Sequence, residues 1–231
     1  MKRLLVKIFS IGMSVACAGA LFCSASASAE VIVVGSPAAT YNGNRYPFGS
    51  AYLGEYQQVY NATAFPGSLK ITGLEFYNTS YDSGSTEMNA GTLTIALSTT
   101  SANQNTLSNN YALNIGGDNT TVFNGELHRN WAFGDTLQIN FDTPFTYVRE
   151  NGNLLLDVTV TVASRTSAIY FDVNYDGTVM GRVFNYDGNP SIGSGVDNLG
   201  LVTGFITGSV PEIDPAGAGS VFALISGGRS D

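Results

Sequence analysis

Asn153-Leu154-Leu155-Leu156-Asp157-Val158-Thr159-Val160-Thr161-Val162 is the stretch that decides the fold of this chain. Leu154, Leu156, Val158, Val160 and Val162 fall on one side of an extended backbone, and Leu155, Asp157, Thr159 and Thr161 on the other. A period of two is the mark of a strand, and the β-branched valines and threonines reinforce it. Five apolar side chains in register predict the centre of a core, at about 2 kcal/mol for each one fully buried.

The same period recurs on both sides of that stretch. Val31–Val34, Tyr56–Tyr60, Leu93–Leu97 and Leu137–Phe141 precede it, and Ala168–Val173, Val179–Tyr186 and Leu199–Ile206 follow it. Within Leu69–Tyr77 the apolar phase slips by one at Thr72-Gly73, which predicts a β-bulge. No stretch of the body holds a helical period. Thr99–Asp118 is an Asn- and Ser-rich insert, with one helical turn predicted around Leu107–Leu113. About ten strands with short connections predict an all-β domain over residues 30–208, a two-sheet antiparallel β-sandwich with jelly-roll-like wiring.

Composition narrows the possible functions. A chain that is 44% hydrophobic and 11% aromatic has enough apolar surface to fold. Both cysteines, Cys17 and Cys23, lie in the first 29 residues, so the body has no disulfide, thiol nucleophile or thiolate metal site. Setting aside Lys2, Arg3 and Lys7 leaves seven basic residues against 18 acidic ones, a formal charge of −11. That balance excludes nucleic acid as a partner, since phosphates need a cationic surface.

The two ends read as addresses. Met1–Ala29 has a basic n-region, an apolar run from Ile8 to Phe22, and small residues at Ala27 and Ala29 that suit signal peptidase. Cleavage is expected between Ala29 and Glu30, with the bond after Ala27 the alternative. At the other end stands Val210-Pro211-Glu212-Ile213-Asp214-Pro215, followed by Ala216-Gly217-Ala218-Gly219-Ser220. Pro211 and Pro215 hold such a segment extended and open to a processing enzyme.

This tail resembles the PEP-CTERM sorting signal of exported bacterial proteins. The body is similar to proteins that carry it in Tyr56–Tyr60, Ile71–Leu74, Leu97–Thr100, Thr143–Phe145, Gly152–Val158 and Gly200–Phe205, in that order. These are packing and turn residues, so the likeness implies a shared fold. It also implies an exosortase-like processing enzyme as partner and a place at the surface, or in the biofilm matrix, of a Gram-negative-type bacterium. It brings no catalytic residues and no cofactor. The resemblance departs from the family's pattern after the motif. Ala216–Ile225 offers about ten apolar residues where a spanning helix needs roughly twenty, and Arg229 stands alone in place of a basic cluster. Residues 209–231 are therefore expected to form a truncated tail, with release as an alternative to surface retention.

The function expected from these features is that of a non-enzymatic structural or binding protein of the envelope or extracellular polysaccharide matrix. The alternatives are a secreted carbohydrate-binding module and a carboxylate-dependent glycoside hydrolase. Tyr41, Tyr46, Tyr52 and Tyr56 crowd the N-terminal quarter beside Asn42, Asn44, Gln57 and Gln58, a combination that offers stacking and neutral hydrogen bonds to a sugar. Glu75, Glu87, Glu126 and Asp157 are the acids from which a hydrolytic pair would have to come. His128 is the only histidine and no G-x-S-x-G elbow accompanies it, so no catalytic residue is assigned. Asp172, Asn174 and Asp176 match the opening of a calcium loop, but Val183 stands where the closing carboxylate should be. A hairpin turning at Tyr175–Thr178 is the preferred reading there, with no metal expected.

Overall fold

The computed structural model describes residues 29–36, 43–49, 53–80, 86–162, 169–174, 177–185 and 191–208. The predicted central strand is central: β7 (Asn153–Val162) lies between β4 (Thr86–Thr100) and β2 (Gly54–Tyr60), antiparallel to both. Leu154, Leu156, Val158 and Val160 of its inner face are buried, whereas Val162 runs past the core and is exposed.

The remaining strands are β1 (Glu30–Val34), β3 (Leu69–Tyr77), β5 (Thr120–Trp131), β6 (Thr136–Tyr147), β8 (Met180–Phe184), β9 (Gly195–Asp197) and β10 (Thr203–Thr207). They form two antiparallel sheets, ordered β1-β10-β3-β6 and β5-β4-β7-β2-β8-β9. The pairs β1–β10, β2–β7, β3–β6 and β4–β5 are nested along the chain, which is jelly-roll wiring with β8 and β9 added beside β2. The fold is an all-β sandwich, and ten strands are present among the described residues.

Aromatic side chains join the two sheets. Tyr60 of β2 meets Phe205 of β10 edge to face at 4.9 Å, and Phe65 packs on both Phe205 and Tyr147. A polar tie crosses the same core. Gln58, fully buried on β2, donates from Nε2 to the Leu201 carbonyl (2.8 Å) and accepts at Oε1 from the Leu201 N–H (2.7 Å) and the Tyr56 hydroxyl (2.5 Å). The expected bulge in β3 appears as a register slip against β6 between Ile71 and Gly73. Gly73 is required there, because a Cβ would stand 2.7 Å from the Ile139 carbonyl oxygen.

Three expectations need correction. Phe171 and Val173 make only isolated bridges, to Asn44 and Leu201, so the described part of Ala168–Val173 is not a strand. The expected hairpin also fails, because β8 pairs with β2 and β9 and not with the segment that precedes it. β5 was not predicted. It has one neighbour in its sheet, β4, and alternates buried and exposed positions only loosely, so Asn, Gly and charged residues could interrupt its pattern.

The insert between β4 and β5 forms the short helical turn Tyr111–Leu113, inside the predicted region. It also lies over the outer face of the six-stranded sheet. Ala102, Leu107, Tyr111 and Ile115 cluster there with Val59, Leu155 and Val183, making a second small core. This second core is why Leu155 and Val59, on the nominally wet face, are fully buried. Among the described residues no helix is long and apolar enough to cross a membrane.

Candidate functional site

The insert covers half of the outer face and brings two polar features to its edges. The first is an acid pair. Cross-strand register sets Asp157 beside Gln57 and Thr159 beside Glu55. Gln57, fully buried, points its Nε2 at Glu55 Oε1 (2.9 Å), the Tyr111 carbonyl (3.2 Å) and Asp157 Oδ2 (3.3 Å). Its Oε1 accepts from Asn114 Nδ2 at 2.9 Å, and the Tyr111 hydroxyl donates to the Glu55 carbonyl at 2.7 Å. The insert is thereby tied to β2 by side chains on both partners.

The two carboxyls accept from the same Gln57 amide. Burial first, and then the charge of Asp157, push Glu55 up to about 8. Burial raises Asp157 to about 6, against the hydrogen bonds from Gln57 and Glu55 that favour its ionised form. A buried amide therefore bridges the two carboxyls, where a hydrolytic pair needs room for a sugar or water between its acids.

A pH dependence follows, with a definite sign. Both acids keep protons in the folded chain at pH values where the unfolded chain has lost them, so the native state binds more protons. The stability that this pair contributes is then fully present below the ordinary carboxylate range, is lost as pH rises from about 4.5 to about 8, and changes no further above. We expect the Tm to fall by on the order of 5 °C between about pH 5 and about pH 9. Asp157→Asn keeps an acceptor for Gln57 and a donor for Glu55, and should flatten that slope. An equal slope in wild type and variant, measured by circular dichroism melts, would exclude the pair as its source.

The other acids lie apart from this pair. Glu75 accepts from the Tyr77 hydroxyl on the other sheet, and Glu87 meets His128 on an exposed part of β4 and β5. Glu87 stands opposite Asn130, four residues along β5 from Glu126, or about 13 Å of strand. No two of these three carboxylates form a hydrolytic pair. Asp172 is buried, and its carboxylate accepts from the N–H and hydroxyl of Thr79 and the N–H of Ser80. Asn174 Oδ1 accepts from the Ser36 N–H. Asp176 lies outside the described residues.

The tyrosine surface also changes. Tyr56 is fully buried and points into the core, because the phase of β2 turns positions 56, 58 and 60 inward and 55, 57 and 59 outward. It cannot meet a ligand. Tyr46 remains partly exposed and stacks on Phe184 at 5.3 Å. Tyr41 and Tyr52 lie outside the described residues, as do residues 1–28 and the tail motif Val210–Pro215. Of the expected cleavage pair, Ala29 precedes the sheet and Glu30 opens β1.

The second feature is a cleft of about 350 Å³ between the turn after β2 and the start of the insert. Asn61, Ala62, Thr63, Asn103, Gln104, Asn105 and Asn153 line it, none of them charged. Asn153 clamps both walls: its Oδ1 accepts from the Ala62 N–H and its Nδ2 donates to the Ala102 carbonyl, each at 2.8 Å. Gly181 of β8 lets the insert settle, since a Cβ there would stand 2.9 Å from Gln104 Cα. Gln104 Oε1 is buried and has no hydrogen-bond partner among the described residues.

Glu55 and the amide cluster were missed in the sequence. Glu55 was accessible in principle, since it shares the outward phase of Gln57 on a predicted strand. The cleft was not, because its walls come from strand ends and a loop far apart in the chain. Scans of family models and searches of curated proteins and of solved structures find no match to this chain.

Proposed function

We propose that this chain is an exported, non-enzymatic binding or structural protein of the cell envelope or extracellular polysaccharide matrix, sorted by a PEP-CTERM type route. The observation that carries the non-enzymatic part is the acid geometry: Glu55 and Asp157 are bridged by the buried Gln57 amide, and the other candidate acids stand apart. The folded body supports the export reading. β1 begins at Glu30, the first residue after the expected cut, and pairs with β10, so Glu30 lies opposite Thr207. The two ends of the domain thus lie side by side.

Cell fractionation and intact mass in the native bacterium test this reading. Protein in the surface or culture fraction, with Glu30 as its first residue, is the expected result. Cytoplasmic protein retaining residues 1–29 would overturn the export reading. New reducing ends released from a polysaccharide, lost on Glu55→Gln or Asp157→Asn, would overturn the non-enzymatic one.

A further inference from the structure

We infer that the cleft formed by Asn61, Asn103, Gln104, Asn105 and Asn153 is a binding subsite for an uncharged polysaccharide segment. The inference rests on the proposed extracellular role only for its biological setting; the chemistry is local to the cleft.

A sugar hydroxyl donates and accepts at once, and vicinal hydroxyls present the two functions side by side. A carboxamide has the complementary pair, an acceptor oxygen and two N–H donors on one plane. With Asn153 engaged in the walls, the carboxamides of Asn61, Asn103, Gln104 and Asn105 around one cleft of about 350 Å³ make a neutral polar surface suited to hydroxyls. An ionic ligand would lose its hydration and meet no opposite charge. An apolar ligand would strip water from amides without replacing their hydrogen bonds. The cleft is at the lower end of the usual size for small-molecule sites, which fits one or two sugar units of a passing chain.

The hydrogen bonds around the cleft give it a preformed character. Asn153 spends its carboxamide holding the walls together, so the opening is fixed before any ligand arrives. Asn61 is held by donation from Nδ2 to the Thr178 carbonyl, and Asn103 Oδ1 accepts from the Asn105 N–H. Gln104 lines the same cleft, with its Oε1 turned away from solvent.

The test is side-chain amide NMR of the purified protein, titrated separately with cellohexaose, maltohexaose, mannohexaose, xylohexaose and a β-1,3-linked glucohexaose. The controls are an oligoguluronate hexamer and calcium chloride. At least one neutral hexamer should shift the carboxamide signals of Asn103, Gln104 and Asn105, with a Kd of about 1 mM or tighter. Asn105→Ala, a change at an exposed position, should keep the melting temperature and weaken that hexamer about tenfold. Gln104→Leu should weaken it as well by removing one of the lining carboxamides. Silence of these signals up to about 10 mM of every neutral hexamer would overturn the inference. A response to the uronate or to calcium equal to that of the best sugar would also overturn it. None of these outcomes bears on the fractionation result, so the two readings fail separately.

Discussion

Replacing Gln58 by alanine is expected to lower the unfolding free energy by about 4 kcal/mol. Its side chain satisfies both backbone groups of Leu201 and the hydroxyl of Tyr56, all inside the core. Truncation would orphan the buried Leu201 N–H, at about 1–3 kcal/mol, and would take one bond each, at about 1 kcal/mol, from the Tyr56 hydroxyl and from the Leu201 carbonyl, which keeps the Thr203 hydroxyl. It would also cut the hydrogen-bonded tie between β2 and the segment that leads into β10, on the opposite sheet. Gln58→Leu separates hydrogen bonding from volume: it refills most of the space and should be almost as destabilising. Urea unfolding of the three proteins decides the matter. A loss below about 1 kcal/mol for the alanine variant would mean that water or a neighbour replaces the tie.

Asp172→Ala is the second large effect, at about 3 kcal/mol. The carboxylate receives four contacts of 2.6–3.0 Å from Thr79 and Ser80, and so caps the chain where it leaves β3. Bonds to a charged acceptor are worth about twice those between neutral groups. Asp172→Asn keeps one acceptor oxygen and should lose roughly half as much. The same geometry predicts the response to calcium. An ion at Asp172 would have to displace these donors, so millimolar calcium should leave the Tm of the wild-type protein unchanged. A rise of several degrees would show preferential binding to the native state and would restore the calcium-loop reading of Asp172, Asn174 and Asp176.

Much of the sandwich was legible because strand formation leaves a local signal. The alternation in Asn153–Val162 requires one dry face, and five aligned apolar residues demand a partner sheet to cover them. The slip at Thr72-Gly73 marked the bulge, since an extra residue inverts the facing of everything after it. β5 was hidden for the same reason in reverse. With β4 its only sheet neighbour and most of its side chains in solvent, Thr120–Trp131 had little pattern to keep. The error at Asp172–Gly177 was also physical. Two period-two segments flanking a turn motif look like a hairpin, and nothing local says that each will pair elsewhere.

By itself, then, the sequence determined the class of fold, the central strand, the lack of cysteine chemistry in the body and the excess of acidic over basic residues. Each depends on composition or on neighbours two residues apart. Only the tertiary structure decided which polar groups meet. Glu55 and Asp157 are about 100 positions apart, yet β2–β7 register brings both carboxyls onto the Gln57 amide. Asn61, Asn103 and Asn153 become one cleft only when the insert folds onto the outer sheet face. Strand period is a property of a short segment, whereas a site is a property of register and crossover, and these are set by the global packing of both sheets.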